Sequence, residues 1–460
     1  MSSEETVPRG GSPRFEVGTL TVEVVSGPDR GRPPVTGERV SIGSAEDNDL
    51  VLRDPMVSRY HAEIACDSSG LLVVDHGSTN GTFAGSVRVE RAIVPPGTVL
   101  SLGGTSVRAG LGGSEAVELY PGESLAGLRG RSPALRRLMA QIERVASSSA
   151  AVLIAGESGT GKERIAEALH LCSPRAGRPF EVVDSSALVP ALVASELFGH
   201  ERGAFTGADQ RHAGALERAG DGTVFLDEIG EVPPQVQALL LGALERRRFR
   251  RVGGKVDLPL GARVVSATHR ELRNEVNAGR FRLDLYYRLA VVTLRAPALR
   301  DRPEDIPLLV EHFVREAGHD GPLTDLFSPA ALTSLARHAW PGNVRELRNL
   351  VEATLALGEV PQVGDAESGS LGSEDAESPG GGESASLAGG GGRDPIGAVL
   401  DLPYKRARAS VLEELEGRYF ERLLDRCGGN VSRAAREAEI NRTYLIEVLR
   451  KRRKAVGEGD

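Results

Sequence analysis

Residues 151–163 read AVLIAGESGTGKE, and this stretch decides the fold at the centre of the chain. Its first five residues form a wholly apolar run, which is typical of a strand buried on both faces of a parallel sheet. The glycines that follow let the backbone turn with successive N–H groups pointing inward, and a helix is predicted directly afterwards, over 163–170. Strand, glycine-rich turn and helix in this order predict a phosphate-binding loop.

This loop supplies the predicted ATP site. Lys162 is placed to reach the terminal phosphates. Glu163 stands where such loops usually carry Ser or Thr, so Mg²⁺ must rely more on water and on a distant acid. The predicted nucleotide-binding residues are Gly156, Glu157, Ser158, Gly159, Thr160, Gly161, Lys162 and Glu163.

A second stretch, residues 196–208, reads ELFGHERGAFTGA. A lone Phe205 among glycines and alanines makes poor core, so we expect a mobile loop tip. The segment resembles the signature loop of the bacterial enhancer-binding proteins, which are NtrC-type AAA+ activators of sigma-54 RNA polymerase. The resemblance implies that this loop touches the sigma factor and moves with the nucleotide state. The implied contact residues are Gly203, Ala204, Phe205, Thr206, Gly207 and Ala208.

Length and composition limit the alternatives. A chain of 460 residues predicts about three domains. The net charge of −8 excludes general nucleic-acid affinity, so any DNA contact must be local. Three widely spaced cysteines predict reduced thiols. No signal-like start and no apolar run of about 18 residues is present in the sequence, so we expect a cytoplasmic protein without membrane contact.

The pattern over residues 17–112 is all-β, after a polar N-terminus at 1–16 that we predict to be disordered. Short apolar alternations between turn residues predict a β-sandwich. Gly43, the sequence SRYH at 58–61 and the sequence STNGT at 78–82 resemble the forkhead-associated (FHA) domain. The resemblance implies that a phosphothreonine protein or a Ser/Thr kinase is a partner, and that His61 is structural. The implied phosphopeptide-binding residues are Ser44, Ser58, Arg59, Thr79 and Asn80.

One departure concerns this predicted phosphopeptide site. FHA domains usually have an Arg after the glycine of the first loop, and this chain has Ser44. Loss of that charge-assisted contact costs roughly 1.5–3 kcal/mol. An FHA fold that binds an unphosphorylated partner, or the chain's own AAA+ domain, therefore stays open.

A linker is predicted over 113–124, followed by an α/β subdomain over 125–297 with a doubly wound parallel sheet. Strands are predicted at 152–155, 180–184, 223–226 and 263–267. The third of these strands leads into Asp227 and Glu228. We predict that Asp227 holds Mg²⁺ through water and that Glu228 polarises the water that attacks the γ-phosphate.

The family resemblance assigns further AAA+ residues. Arg282 and Arg288 match arginines that reach a neighbouring subunit's γ-phosphate, which implies a ring, expected to be a hexamer. Arg345, in a helical lid over 298–357, matches the second sensor. Asp184 stands where an Asn usually switches the catalytic glutamate, and His269 stands at the first-sensor position. A carboxylate at 184, near Glu228, is expected to repel the Glu228 carboxylate and to raise at least one pKa.

The C-terminal part begins with a Gly, Ser and acid-rich segment over 358–403, which is predicted to be a disordered tether. Residues 404–455 show three helical segments with a basic end, followed by a short tail at 456–460. They resemble the Fis-type helix-turn-helix of enhancer-binding proteins, which implies enhancer DNA as a partner. The predicted DNA-binding residues are Arg442, Thr443, Tyr444, Arg450, Lys451, Arg452 and Arg453.

Together these patterns predict a multidomain transcription activator: an all-β FHA sandwich, an α/β P-loop AAA+ domain with a helical lid, and an all-α helix-turn-helix. An all-β module stands where many relatives carry a phosphoacceptor receiver, so we expect signalling through Ser/Thr phosphorylation. Two alternatives remain: an AAA+ ATPase that remodels other proteins, and a non-hydrolysing DNA-binding adaptor.

Overall fold

A computed structural model describes residues 13–67, 69–185, 190–205, 208–319, 321–358 and 360. The predicted N-terminal disorder over 1–12, most of the tether, and the helix-turn-helix with all its predicted DNA-binding residues lie outside the described residues.

The N-terminal domain is a sandwich of two sheets. Its strand order is β2-β1-β11-β10-β7-β8 in one sheet and β4-β3-β5-β6-β9 in the other. Alternating apolar residues such as Leu20, Val22 and Val24 fill the space between the sheets, as the period-2 pattern predicts. The strands are β1 (Arg14–Ser26), β2 (Val35–Gly37), β3 (Arg39–Gly43), β4 (Leu50–Val51), β5 (Ala62–Asp67), β6 (Gly70–Asp75), β7 (Thr82–Ala84), β8 (Val87–Val89), β9 (Arg91–Val94), β10 (Val99–Leu102) and β11 (Thr105–Glu118).

The boundaries of this domain differ from the prediction. Strand β11 continues to Glu118 and pairs with β1 from Arg14 onward. Residues 14–16, predicted disordered, and 114–118, within the predicted linker, are therefore paired strand. The sequence did not predict these strand residues, because their side chains are mostly polar and exposed and the pairing is made by backbone hydrogen bonds.

The central domain contains a five-stranded parallel sheet in the order β15-β16-β19-β14-β20. All four predicted strands are confirmed within it, and the predicted helix after the loop spans Lys162–Leu171. The strands are β12 (Ser124–Leu125), β13 (Leu128–Arg129), β14 (Val152–Ala155), β15 (Phe180–Asp184), β16 (Thr223–Asp227), β17 (Arg248–Phe249), β18 (Leu258–Pro259), β19 (Arg263–Thr268) and β20 (Val292–Arg295). The helices are α1 (Pro133–Ala146), α2 (Lys162–Leu171), α3 (Pro190–Phe198), α4 (Ala215–Arg218), α5 (Pro234–Arg246), α6 (Leu272–Asn277) and α7 (Leu283–Leu289).

A helical lid follows, with its own core around the fully buried Trp340. Its helices are α8 (Ile306–Glu316), α9 (Pro329–Arg337) and α10 (Asn343–Leu357). The Trp340 indole N–H donates to the carbonyl of Leu335 at 2.9 Å, so the chain's single tryptophan is a packing residue. No helix in the described ranges is long and apolar enough to cross a membrane.

The sandwich is docked on the central domain through Tyr60. This side chain is fully buried and belongs to the core of the central domain, where its ring meets Tyr286 edge to face at 5.7 Å. Asn277 donates to the carbonyls of Tyr60 and His76 at 2.6 and 2.9 Å. The sandwich and the central domain of this chain are therefore in direct contact.

Candidate functional site

The predicted phosphate-binding loop joins β14 to α2. Gly159 and Gly161 have φ of +77° and +97°, values that glycine adopts without strain. A Cβ at Gly159 would lie 2.2 Å from the carbonyl oxygen of Gly342 in the lid, so only glycine fits this approach. The loop is thus shaped both for phosphate and for contact with the lid.

Lys162 is almost fully buried at the start of α2. Its Nζ donates to the carbonyls of Gly156 and Glu157 at 3.2 and 3.3 Å, and lies 3.2 Å from Oε1 of Glu228. A buried ammonium beside backbone N–H groups at a helix start is the donor set that anionic phosphate requires. These residues therefore fit ATP.

Glu228 lies between Lys162 and the first-sensor position. Its Oε2 accepts from the backbone N–H of His269 at 3.0 Å and from His269 Nδ1 at 2.7 Å. Burial acts to raise the pKa of Glu228, but the two His269 contacts and Lys162 outweigh it and hold that pKa below its usual range. Glu228 is thus kept as the carboxylate, the form that accepts a proton.

The pKa of Asp227 is shifted in the opposite direction, upwards. Burial and the adjacent Glu228 carboxylate raise the pKa of Asp227, and Asp184 adds to the rise. Asp184 is the residue paired with Asp227 in the β15–β16 register. Asp184 was expected to repel Glu228, but the pKa of Glu228 is lowered, and the effect of Asp184 falls on Asp227 as the smallest of the contributions to its raised pKa. A bound cation would favour the charged form of this group.

The residues that would hold Mg²⁺ are few. No cluster of three or more His, Cys, Asp or Glu side chains with metal-binding geometry occurs within the ranges that the structure describes. Asp227, at the end of a buried strand, remains a carboxylate fit for a cation whose other ligands are phosphate oxygens and water.

The lid closes on the loop through α10. Arg345 Nη1 donates to Ser158 Oγ at 3.1 Å, and the backbone N–H of Val344 donates to the carbonyl of Gly159 at 3.0 Å. The predicted second sensor therefore reaches the nucleotide loop. Arg300 contributes from the first turn of the lid, with Nη1 donating to Glu157 at 2.8 Å.

Asn343 was missed by the sequence reasoning. It is fully buried, has φ of +51°, donates to Glu157 and to the carbonyl of Ser158 at 3.1 and 3.0 Å, and accepts from the N–H of Leu299 at 2.8 Å. One side chain thus joins both parts of the lid to the loop. A Gly-Asn pair at a helix start was the available signal, because Asn tolerates positive φ.

The two predicted trans-acting arginines lie apart from this set, at α7. Arg282 is about half exposed and pairs with Asp284, with Nε–Oδ1 and Nη2–Oδ2 distances of 3.0 and 2.7 Å. Arg288 is exposed, and its side chain makes no hydrogen bond or ion pair with any described residue. Both are available to a neighbouring molecule.

Ion pairs and a backbone hydrogen bond hold the base of the loop predicted to contact the sigma factor, here Glu201 and Gly203 with Ala208. Arg251, almost buried, pairs with Glu201 and Glu217 at 2.7 and 2.6 Å. The N–H of Gly203 donates to the carbonyl of Ala208 at 2.8 Å. Phe205 is half-buried, with its ring edge to face with His200 at 4.9 Å, and the mobility of this tip stays a prediction. Thr206 and Gly207 lie outside the described residues.

The predicted phosphopeptide residues meet at one edge of the sandwich. The backbone N–H of Ser44 donates to the carbonyl of Ser58 at 3.0 Å, and the N–H of Thr79 donates to Ser58 Oγ, also at 3.0 Å. Asn80 donates to the carbonyl of Met56 at 2.7 Å. Arg59 is exposed, and its side chain has no hydrogen bond or ion pair with the described residues.

His61 holds this edge in place. It is fully buried, its Nδ1 accepts from the N–H of Ser58 at 3.1 Å, and its Nε2 lies 3.2 Å from the carbonyl of Gly81. Nε2 therefore carries the proton, and burial lowers the pKa of the ring so that it stays neutral. This arrangement supports the predicted structural role.

A P-loop, a strand ending in two acids and a lid arginine in contact with the loop define an AAA+ nucleotide-binding domain, here joined to an FHA-type sandwich. Comparison with known families agrees. The sigma-54 interaction domain matches residues 128–295, the AAA+ ATPase lid domain matches 300–367, and the FHA domain matches 40–103.

Among full-length relatives, the transcriptional regulatory protein ZraR of Klebsiella oxytoca is 43% identical over 324 residues, which cover 70% of this chain and 68% of ZraR. The Nif-specific regulatory protein of Azotobacter vinelandii is 50% identical over 232 residues, 50% of this chain and 44% of that protein. A crystal structure of NtrX from Brucella abortus in complex with ATP shares 34% identity over 70% of this chain and 68% of NtrX, with a TM-score of 0.47. The chain belongs to the sigma-54-dependent transcriptional activator family and carries an FHA domain.

Proposed function

We propose that this protein hydrolyses ATP to remodel sigma-54 RNA polymerase holoenzyme for open-complex formation, under the control of a phosphothreonine-binding FHA domain. The observation that carries the ATPase part is Glu228 held as a carboxylate by His269 and beside Lys162. The match to the sigma-54 interaction domain supports sigma-54 holoenzyme as the proposed partner.

Each residue of the site has a part in this function. Lys162 and the loop N–H groups bind the phosphates, Glu228 accepts the proton of the attacking water, and Arg345 joins the loop to the lid. Asp227 would hold Mg²⁺ through water, and the ion would neutralise charge on the ATP phosphates. The exposure of Arg282 and Arg288 supports their action on a neighbouring subunit in a homo-oligomeric ring, proposed to be a hexamer.

Two variants test this proposal with different readouts. Glu228→Gln keeps the size of the side chain but cannot act as the base, so ATP turnover is expected to fall roughly 10²- to 10⁴-fold. Thr206→Ala is expected to leave turnover largely intact and to abolish open-complex formation with sigma-54 holoenzyme. Transcription unchanged by Thr206→Ala would remove the sigma-54 assignment. Turnover absent from the unmodified protein would favour the non-hydrolysing adaptor.

Enhancer binding is proposed for the C-terminal segment, through Arg442, Thr443, Tyr444 and the basic run 450–453. Its support is the sequence resemblance alone, since these residues lie outside the described ranges. Phosphate contacts from the basic run would make DNA binding strongly salt-dependent. Binding of promoter-upstream DNA that is insensitive both to salt and to Arg442→Ala would exclude this role.

A further inference from the structure

The docked FHA domain brings its phosphopeptide edge against α7 of the AAA+ domain. An open cavity of about 450 Å³ between them is lined by Arg59 from the FHA domain and by Arg282, Leu283, Asp284 and Tyr287 from the AAA+ domain. Two guanidinium groups from different domains therefore face one space large enough for a phosphoryl group. The only carboxylate among the five lining residues is Asp284.

The docking contacts fix the two sides of this cavity. Next to Arg59, Tyr60 is buried against Tyr286, and the Arg273 guanidinium lies 5.1 Å from the centre of the Tyr60 ring. The hydroxyls of Tyr60 and Tyr287 both donate to Asp47, at 3.0 and 3.1 Å. The carboxylate of Asp47 is thus engaged by two donors from different domains, one of which, Tyr287, lines the cavity.

The two arginines differ in what they must give up to bind an anion. Arg59 has no side-chain partner among the described residues. Arg282 is paired with Asp284, but both side chains are about half exposed, and an exposed pair of this kind is worth little. A phosphoryl dianion is the stronger partner for a guanidinium fork, so Arg282 can exchange Asp284 for it at small cost.

Resting on the proposed function of the FHA domain, we propose that its phosphothreonine ligand is bound jointly by Arg59 and by Arg282 of the AAA+ domain. The backbone N–H of Ser44 bonds to the carbonyl of Ser58, next to Arg59. Arg282 therefore supplies, from a second domain, the second guanidinium that Ser44 does not provide. The same guanidinium cannot serve a phosphothreonine on its own chain and ATP on a neighbour at the same time, so these two contacts are alternatives.

The test is a binding titration of the full-length protein with a fluorescein-labelled degenerate phosphothreonine peptide library and its unphosphorylated twin. Selective binding of the phosphorylated library is expected, weakened roughly tenfold by Arg59→Ala and by Arg282→Ala. The affinity of the Arg282→Lys variant is expected to lie between those of the unmodified protein and Arg282→Ala, because lysine keeps the charge but lacks the forked pair of donors. The double variant is expected to lose less than the sum of the single losses, since both side chains contact one phosphate.

Two further variants separate a shared site from a general charge effect. Asp284→Asn frees the Arg282 fork and is expected to tighten phosphopeptide binding, an increase that simple damage to the fold would not produce. Arg248→Ala removes an exposed arginine of the same domain that does not line the cavity, and is expected to leave binding unchanged.

The outcomes distinguish this inference from the function on which it rests. Binding lost in Arg59→Ala but unchanged in Arg282→Ala and Asp284→Asn would overturn the shared site and leave phosphothreonine sensing intact. Equal or absent binding of the two libraries by the unmodified protein would overturn both. Equal losses in Arg282→Ala and Arg248→Ala would reduce the effect to net charge and overturn the shared site.

Discussion

Truncation of Tyr60 is the sharpest test of the domain docking. Tyr60→Ala removes a fully buried ring from the core of the AAA+ domain, together with its contacts to Tyr286 and Arg273. Loss of a buried aromatic side chain costs about 3–5 kcal/mol. Because 1.4 kcal/mol is a factor of ten, the docking equilibrium constant is expected to fall by a factor of roughly 10² to 4 × 10³.

Hydrogen exchange on the full-length protein measures this loss. Amides of α6 and α7, and of residues 57–61, are expected to lose protection in Tyr60→Ala, because these segments form the two sides of the interface. Tyr60→Phe is the matched control: it keeps the ring and loses only the hydroxyl bonded to Asp47, worth about 1 kcal/mol. It is expected to retain most of the protection.

Strand β5 reports whether the FHA domain itself stays folded. If protection of β5 is lost as well, Asn277→Ala tests the interface from the other side, since it removes the two donors to Tyr60 and His76 at a cost of about 1–3 kcal/mol. Unchanged protection of α6 and α7 in both Tyr60→Ala and Asn277→Ala would refute the inference that these contacts hold the domains together.

Four further predictions concern the lid, its pH dependence, the loop base and the peptide. Asn343→Ala is expected to weaken lid docking by about 1–3 kcal/mol and nucleotide affinity roughly tenfold, measured by titration with a fluorescent ATP analogue. The hydrogen bonds from Arg300 lower the pKa of Glu157 to about 2. The folded state therefore gains the full stabilisation from this pair above pH 4.5 and loses it as the pH falls towards 2. Arg300→Ala is expected to move the acid unfolding transition, followed by the fluorescence of the single tryptophan, to higher pH. Arg251→Met is expected to reduce open-complex formation more than ATP turnover, which parallel assays would compare, because its two ion pairs anchor the loop base. Saturating phosphothreonine peptide is expected to lower the ATP turnover of the assembled protein but not that of the Arg59→Ala variant. An equal fall in turnover in both proteins would contradict the competition between the peptide and a neighbour's ATP for Arg282.

The α/β framework could be predicted because each of its elements carries a local pattern. The apolar run at 151–155, the glycines of the loop and the acids that end β16 each need only their immediate neighbours to be recognised. The phosphopeptide-binding role of Ser44, Ser58, Arg59, Thr79 and Asn80 stays a prediction that rests on the family resemblance of these short loops. The part of strand β11 beyond residue 112 was not predicted, because its pairing with β1 is a long-range backbone interaction that leaves no apolar pattern in the sequence.

Contacts between distant residues were decided only by the tertiary structure. Asn343 and Glu157 are 186 positions apart, and Tyr60 lies in a core formed by residues of another domain. No local pattern encodes such a pairing, because a buried tyrosine in a β-rich segment reads as a residue of its own domain's core. The sequence determined which chemical groups the protein has, namely the phosphate loop, the two adjacent acids, the arginines at 59 and 282 and the FHA hydroxyls. Packing of one domain on another determined that Arg59 and Arg282 face the same cavity, since that position depends on the sum of many weak contacts across the interface.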